Sequence, residues 1–192
     1  SQKMICTDNS WEWAESSVRF SEIYDGEHKD ASFVPTEWKK AEEIHLPLDC
    51  LIPQEGEEIR EMERVQAKEI IHTPGGEVLV DFGQEVTGYV ELCVKAKKGD
   101  RIRILHGEVL DRNGNFYNAN YRSARAEIIY VCKDGDQRWH PQLTFFGFRY
   151  IKLAEFPGTP SPDQFTAVVV YSNIRRTGNI RTSDPLLNQL IS

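Results

Sequence analysis

RWHPQLTFFGFRYIKL, residues 138–153, is the stretch on which the fold turns. Five aromatic side chains, Trp139, Phe145, Phe146, Phe148 and Tyr150, crowd into it. The run reads as a strand. At period two, Phe145, Ile151 and Leu153 share one side, with Gly147 and Arg149 between them. Phe146, Phe148 and Tyr150 share the other, followed by Lys152. A strand with one wet face alternates apolar with polar residues, and this one is apolar on both sides. One side therefore belongs to a core. For the other, three covers are open: a neighbouring sheet, a further domain, or a sugar stacked on the rings.

Working outward, similar runs recur between turn signals. Residues 57–73 end on TPGGE, and EVLVDF (77–82) follows. In VTGYVELCVKA (86–96), Val90, Leu92 and Val94 oppose Tyr89, Glu91, Cys93 and Lys95. DRIRIL (100–105) sets Ile102 and Ile104 against Arg101 and Arg103. AEIIYVC (126–132) is richer in apolar residues and turns on KDGD, and TAVVVYS (166–172) closes the series. The expectation is an all-β fold, an antiparallel two-sheet β-sandwich with short helical pieces.

The flanks differ. Residues 1–50 are irregular, with a weak strand at 18–26. A short helical turn is expected at 36–44, where Thr36 begins an incomplete capping box with Lys39 in the acidic position. Residues 46–58 carry two prolines and a glycine and read as a linker. SDPLLNQLIS (183–192) has a capping Ser183 or Asp184, Pro185 at an early helical position, and a stripe of Leu186, Leu187 and Leu190. A helix this short is marginal alone. With the internal Met4, it suggests an excised piece of a longer protein.

Composition narrows the partners. The 192 residues hold 23 Lys and Arg against 30 Asp and Glu, a net charge of −7, which excludes a nucleic-acid footprint. No apolar run has the length of a membrane span. Cys6, Cys50, Cys93 and Cys132 form no C-x-x-C pair, so no zinc site is expected, and Cys93 and Cys132 read as small buried hydrophobes. The compartment stays open between bacterial cytoplasm, periplasm and exterior.

Several groups are candidates for chemistry. Asp25, Glu27 and Asp30 make a compact acidic loop beside Tyr24, of the oxygen-donor kind that takes calcium; a tight Asp-Gly turn is the plainer reading, with no cofactor. After the Asn113-Gly114 turn, Tyr117, Asn118, Asn120, Tyr121, Arg122 and Arg125 form a long polar and aromatic segment. It suits a sugar-contacting loop or an interdomain contact. His106 and Glu108 lie on one side of a strand but make an incomplete metal site. Asp81 with Glu85, and Glu108 with Asp111, are carboxylate pairs in sequence, whereas glycoside hydrolysis needs a pair defined in space.

Four phrases carry a resemblance: DFGQEVTGYVEL (81–92), ILHGEVLDRNGNFYNANYRSARA (104–126), LTFFGFRYIKL (143–153) and VVVYSNIRRTGNIRTSDPLLNQL (168–190). They resemble bacterial α-L-rhamnosidases, and SEIYDGEHKDA (21–31) resembles the end of that family's N-terminal β-domain. The match is collinear over nearly the whole chain and weakens between residues 32 and 70. It implies a domain order: tail of the N-terminal β-domain and linker (1–52), a concanavalin-like, jelly-roll sandwich (53–172), then a linker and first helix (173–192) leading into an (α/α)6 catalytic barrel. It implies an inverting glycosidase as the parent, with catalytic acids beyond Ser192 and none in this chain. The implied partners are that barrel and, in the alternative of a carbohydrate-binding module, rhamnose-containing glycans. Phe146, Phe148, Tyr150, Leu186, Leu187 and Leu190 are the residues expected to meet the barrel. Phe146 stands where the family phrase commonly has His.

Overall fold

The computed structural model describes residues 6–44, 46–47 and 49–191. Residues 1–5, which include Met4, and His45, Leu48 and Ser192 lie outside the described residues, and with them parts of the expected opening, linker and final helix.

Four short strands come first: β1 (Glu12–Trp13), β2 (Val18–Glu22), β3 (Gly26–Asp30) and β4 (Lys39–Lys40). β1 pairs with β4, so residues 36–44 hold a strand where a helical turn was expected. Thr36 has no acidic residue three positions on to complete the box, and Lys39 packs over the Trp13 ring instead. β5 (Ile59–Gln66) and β6 (Glu69–His72) lead to β7 (Val78–Ala96), a single strand of 19 residues where two were expected. β8 (Arg101–Gly107) returns from it. β9 (Val109–Leu110) and β10 (Phe116–Tyr117) form a small hairpin. β11 (Glu127–Val131), β12 (Gly135–Trp139), β13 (Phe146–Glu155) and β14 (Phe165–Ser172) complete the strands, and α1 (Pro185–Ile191) follows.

Among the described residues ten strands join in one sheet, ordered β2-β3-β11-β8-β13-β7-β14-β5, with β6 and β12 also on β7. The sheet curls into a sandwich because β7 serves both layers. Its first part lies between β6 and β13, and its second part between β14 and β12. Tyr130 of β11 stacks on Trp139 of β12 at 4.6 Å, although the two strands are not paired. That contact closes the curl across the core. The pairing is antiparallel except for β3 on β11, which is parallel. β2 and β3, from the segment assigned to the preceding domain, are thus strands of this same sheet.

Residues 138–153 are not one strand. Arg138 and Trp139 end β12, and Phe146 begins β13. Within β13 the register shifts between Phe148 and Tyr150. Between the pairs Phe148–Val86 and Tyr150–Asp81, residues 82–85 of β7 lie opposite the single Arg149 of β13, so the ladder is broken there and the buried positions of β13 change phase across it. Phe146 and Phe148 before it, and Ile151 and Leu153 after it, therefore all enter one core. Each such burial is worth about 1.5–3 kcal/mol. The apparent second apolar face is one face read across a phase change. Phe146 and Phe148 are accordingly core residues rather than an exposed contact for another domain, and Tyr150 is 9% exposed. Arg149, at the break, forks onto Asp81 with two bonds of 2.9 Å.

Period two holds through the second part of β7 and through β8. Val90, Leu92, Val94, Ile102 and Ile104 are buried, and Phe82 meets Phe148 edge-on at 5.5 Å. Cys132 is buried but Cys93 is exposed, because position 93 faces outward from β7. Gly88 is required by a close approach: a Cβ there would lie 1.9 Å from the Val168 carbonyl oxygen. His106 is wholly buried. It stacks on Phe146 at 3.9 Å, and its Nδ1 sits 2.8 Å from the Ala126 carbonyl oxygen. His106 and Glu108, read as an incomplete metal site, do not come together, since the His106 ring packs in the core.

Candidate docking face

Of the six residues of the polar loop, Asn120, Tyr121 and Arg125 are held by different neighbours. Asp111 Oδ1 accepts from Asn113 N and Asn115 N at 2.8 Å each, which fixes the turn. Phe116 N donates to Glu77 Oε2 at 2.8 Å, and Lys152 donates to the other oxygen of that carboxylate at 2.7 Å. Tyr117 and Asn118 precede a single 3-10 turn, Ala119–Tyr121. Tyr121 Oη donates to the Gly147 carbonyl at 3.0 Å, and Asn120 Nδ2 donates to Glu108 Oε2 at 3.2 Å. Arg122 is exposed, with φ 58°. Arg125 pairs with Asp25 at 3.2 Å. Through Asn120, Tyr121 and Arg125 the loop is fastened to its own sandwich.

The acidic loop also separates. Asp25 is held by Arg125. Asp30 accepts from Ser32 N and Ser32 Oγ at 2.9 and 2.7 Å, and its carboxyl lies low because of the Ser32 hydroxyl above all. Glu27 is fully buried, and its Oε2 accepts from Gln142 N at 2.9 Å and Leu143 N at 3.0 Å. Among the described residues no group of three His, Cys, Asp or Glu side chains is placed to hold a metal ion.

Glu27 instead organises a surface. With Thr144 Oγ1 donating to the Ile23 carbonyl at 3.0 Å, it ties residues 142–144 of the β12–β13 connection to β3 and the turn after β2. The connection then presents Leu143 (60% exposed) and Phe145 (41%) beside Ile23, Ile59 and Tyr171. A cleft of about 500 Å³ runs between β5, the bend of β7 and β14, with Phe145 and Tyr171 in its wall. A second cleft, of about 410 Å³, adjoins it through Ile59, Phe145 and Val170. Clustered exposed apolar side chains of this kind mark a contact surface. Sequence reading missed it by running one strand through Pro141; a proline inside a strand pattern was the available signal. Of the residues expected to meet another domain, Leu186, Leu187 and Leu190 of α1 are exposed.

The charged groups of these strands are held unequally. Tyr89 stacks on His140 at 4.7 Å and donates to Glu61 at 2.6 Å; burial first, then Glu61, push its phenol up. Glu91 receives both Arg64 and Arg138. Burial alone would raise the Asp81 carboxyl, but the Arg149 hydrogen bonds, the Gly83 N–H and the Arg149 charge hold it below the ordinary range. Glu85 is the exception. Desolvation first and the Glu108 charge second push its carboxyl up, and Arg149 offsets this only in part. Glu85 and Glu108 both approach the space above Gly147: a Cβ there would lie 3.7 and 3.6 Å from their Oε1 atoms.

Residues 71–171 match the model of the bacterial alpha-L-rhamnosidase concanavalin-like domain, and residues 1–63 match that of the alpha-L-rhamnosidase N-terminal domain. A curated α-L-rhamnosidase of Formosa agariphila is 34% identical over the whole of this chain, which spans 22% of that protein. One from Streptomyces avermitilis is 29% identical over 98% of the chain, which spans 19% of it. Among solved structures, the native enzyme of Aspergillus terreus superposes with a TM-score of 0.87 at 32% identity, over 97% of this chain and 23% of that one. The Streptomyces avermitilis enzyme complexed with L-rhamnose gives 0.84 at 29%, over 97% and 19%. The chain thus spans about a fifth of the length of the relatives it matches.

Proposed function

The chain belongs to the bacterial α-L-rhamnosidase family, and from that premise we propose that it is the accessory β-sandwich of an enzyme hydrolysing terminal α-L-rhamnosyl linkages. Its task is to seat and orient the catalytic (α/α)6 domain, not to perform the chemistry. The observation that carries this reading is the apolar face of Ile23, Ile59, Leu143, Phe145 and Tyr171. That face borders Ser172, where β14 ends and the chain runs on to the exposed leucines of α1. Apolar cores with polar rims are how domains dock.

Catalysis by the sandwich itself is disfavoured by its carboxylates. Inversion needs an acid and a base on opposite sides of a sugar, roughly 6.5–9.5 Å apart with room for water. Asp81 is locked in its fork with Arg149, and Glu85 and Glu108 approach the same small space over Gly147. The carbohydrate-module alternative gains no support, because Asn120, Tyr121 and Arg125 of its loop are each held by a different neighbour within the sandwich. The test is turnover of an aryl α-L-rhamnoside by the 192-residue chain and by the same protein extended to the length of its relatives. The reading expects hydrolysis from the extended protein alone. Hydrolysis by the 192-residue chain that Glu85→Gln or Glu108→Gln abolishes overturns it.

A further inference from the structure

The proposed docking face is acidic as well as apolar. Glu63 and Glu85 line the larger cleft, and Glu108 stands behind Glu85 across Gly147. Among the described residues none of the three makes an ion pair, and Arg149 offsets the charge around Glu85 only in part. Arg149 is committed to Asp81, Arg64 to Glu61 and Glu91, and Arg60 to Glu58. Asn120 gives Glu108 one neutral hydrogen bond, at 3.2 Å. Gly147 adds a steric clue. It lacks a positive φ, and a Cβ there would make only ordinary contacts. Neither backbone conformation nor packing demands glycine, yet its bareness leaves a clear space between two carboxylates that repel each other. A cation placed there would relieve the repulsion, and a planar guanidinium can meet both carboxylates through its several N–H donors.

Resting on the docking reading above, we propose that this face takes a partner surface of one chemistry: an aromatic or aliphatic side chain against Phe145 and Tyr171, flanked by an arginine or lysine head group between Glu85 and Glu108. The occupant is the docked catalytic domain of the same protein. The argument for it is the pairing of an unneutralised acidic rim with an exposed apolar floor at the point where the sandwich ends. The charge supplies orientation, since a partner with an acid at that position is repelled, while the apolar floor supplies affinity.

Benzamidine, an aromatic ring bearing a planar cation, probes both halves at once on the 192-residue chain, with neutral benzamide as its control. The measurement is amide chemical shift on titration. Saturable shifts are expected at residues 84–88, 145–147 and 170–172 with benzamidine, and binding at least about tenfold weaker with benzamide. The double substitution Glu85→Gln, Glu108→Gln is expected to weaken benzamidine to the level of benzamide and leave the rest of the spectrum in place. Gly147→Lys, which supplies the cation from within, is expected to abolish benzamidine binding. Equal binding of the two probes, benzamidine binding that survives the double substitution, or shifts confined to other residues overturn the proposal. Because the readout needs no catalytic domain, it can fail while the docking reading stands.

Discussion

The centre of the sandwich and its two flanks use large hydrophobic residues in opposite ways. In β7, β8 and β13, Leu79, Val80, Val90, Ile102, Ile104, Phe148 and Ile151 are sealed from water. In the flanks, Trp11, Trp13, Trp38, Ile52, Ile174, Leu186 and Leu190 are each about half exposed or more. Periodicity alone does not separate the two groups, since the helical stripe of residues 186–190 is as regular as any strand. What separates them is the second layer. Burial needs an opposing face, and the curled sheet supplies one only to its middle.

That contrast can be broken by substitution. Phe148→Ala should cost about 3–5 kcal/mol of unfolding free energy by denaturant titration, because a ring with no exposed surface leaves a cavity behind. A loss below about 1 kcal/mol would mean that the core is not packed as described. Glu27→Ala removes the shared acceptor of Gln142 N and Leu143 N and should cost about 2 kcal/mol. Hydrogen exchange at those two amides should accelerate first, and unchanged exchange there would cut the link between Glu27 and the docking face. Leu190→Ser, on the exposed stripe, should change the stability of this chain by less than about 0.5 kcal/mol. A larger loss would show that α1 packs on the sandwich.

Acid should sharpen the same comparison. Burial holds the His106 imidazole down to about 4, against the ordinary value of 6.5. Between those values the unfolded chain binds a proton that the folded chain refuses, so stability falls as pH drops from about 6.5 to about 4. Asp81 adds a lower window. Its carboxyl is depressed in the fold, so its contribution is present above the ordinary value of 3.8 and is lost as pH falls through the folded value. His106→Phe should flatten the upper window of a stability-against-pH curve and leave the lower one. An unaltered curve would place the acid sensitivity elsewhere.

Much of this fold was legible because strand alternation is a local signal. Val90, Leu92 and Val94, and Ile102 with Ile104, took the expected side. The register break at Arg149 was not legible, since it comes from residues 82–85 of β7 lying opposite it, and nothing in GFRYIKL announces a change of phase. The long β7 was divided in reading because Gly83 resembles a turn residue, whereas the strand passes through it with φ +79°. The site was less legible than the fold. Glu27 lies more than a hundred positions from the amides it holds, and Glu85 meets Glu108 only after β7 and β8 are set on either side of β13. Chemistry-bearing residues of the 117–125 loop drew attention by type, yet Asn120, Tyr121 and Arg125 are partnered by this chain's own backbone and carboxylates.

The most direct test of the central claim is hydroxyl-radical footprinting of Phe145, Leu143, Tyr171 and Ile59 in two samples, the 192-residue chain and the protein extended to the length of its relatives. The account predicts strong oxidation of all four in the chain and protection of all four in the extended protein, with Trp139 and Phe148 protected in both. Equal oxidation of the four in both samples would contradict it, because the apolar face would then be covered by nothing that follows the sandwich.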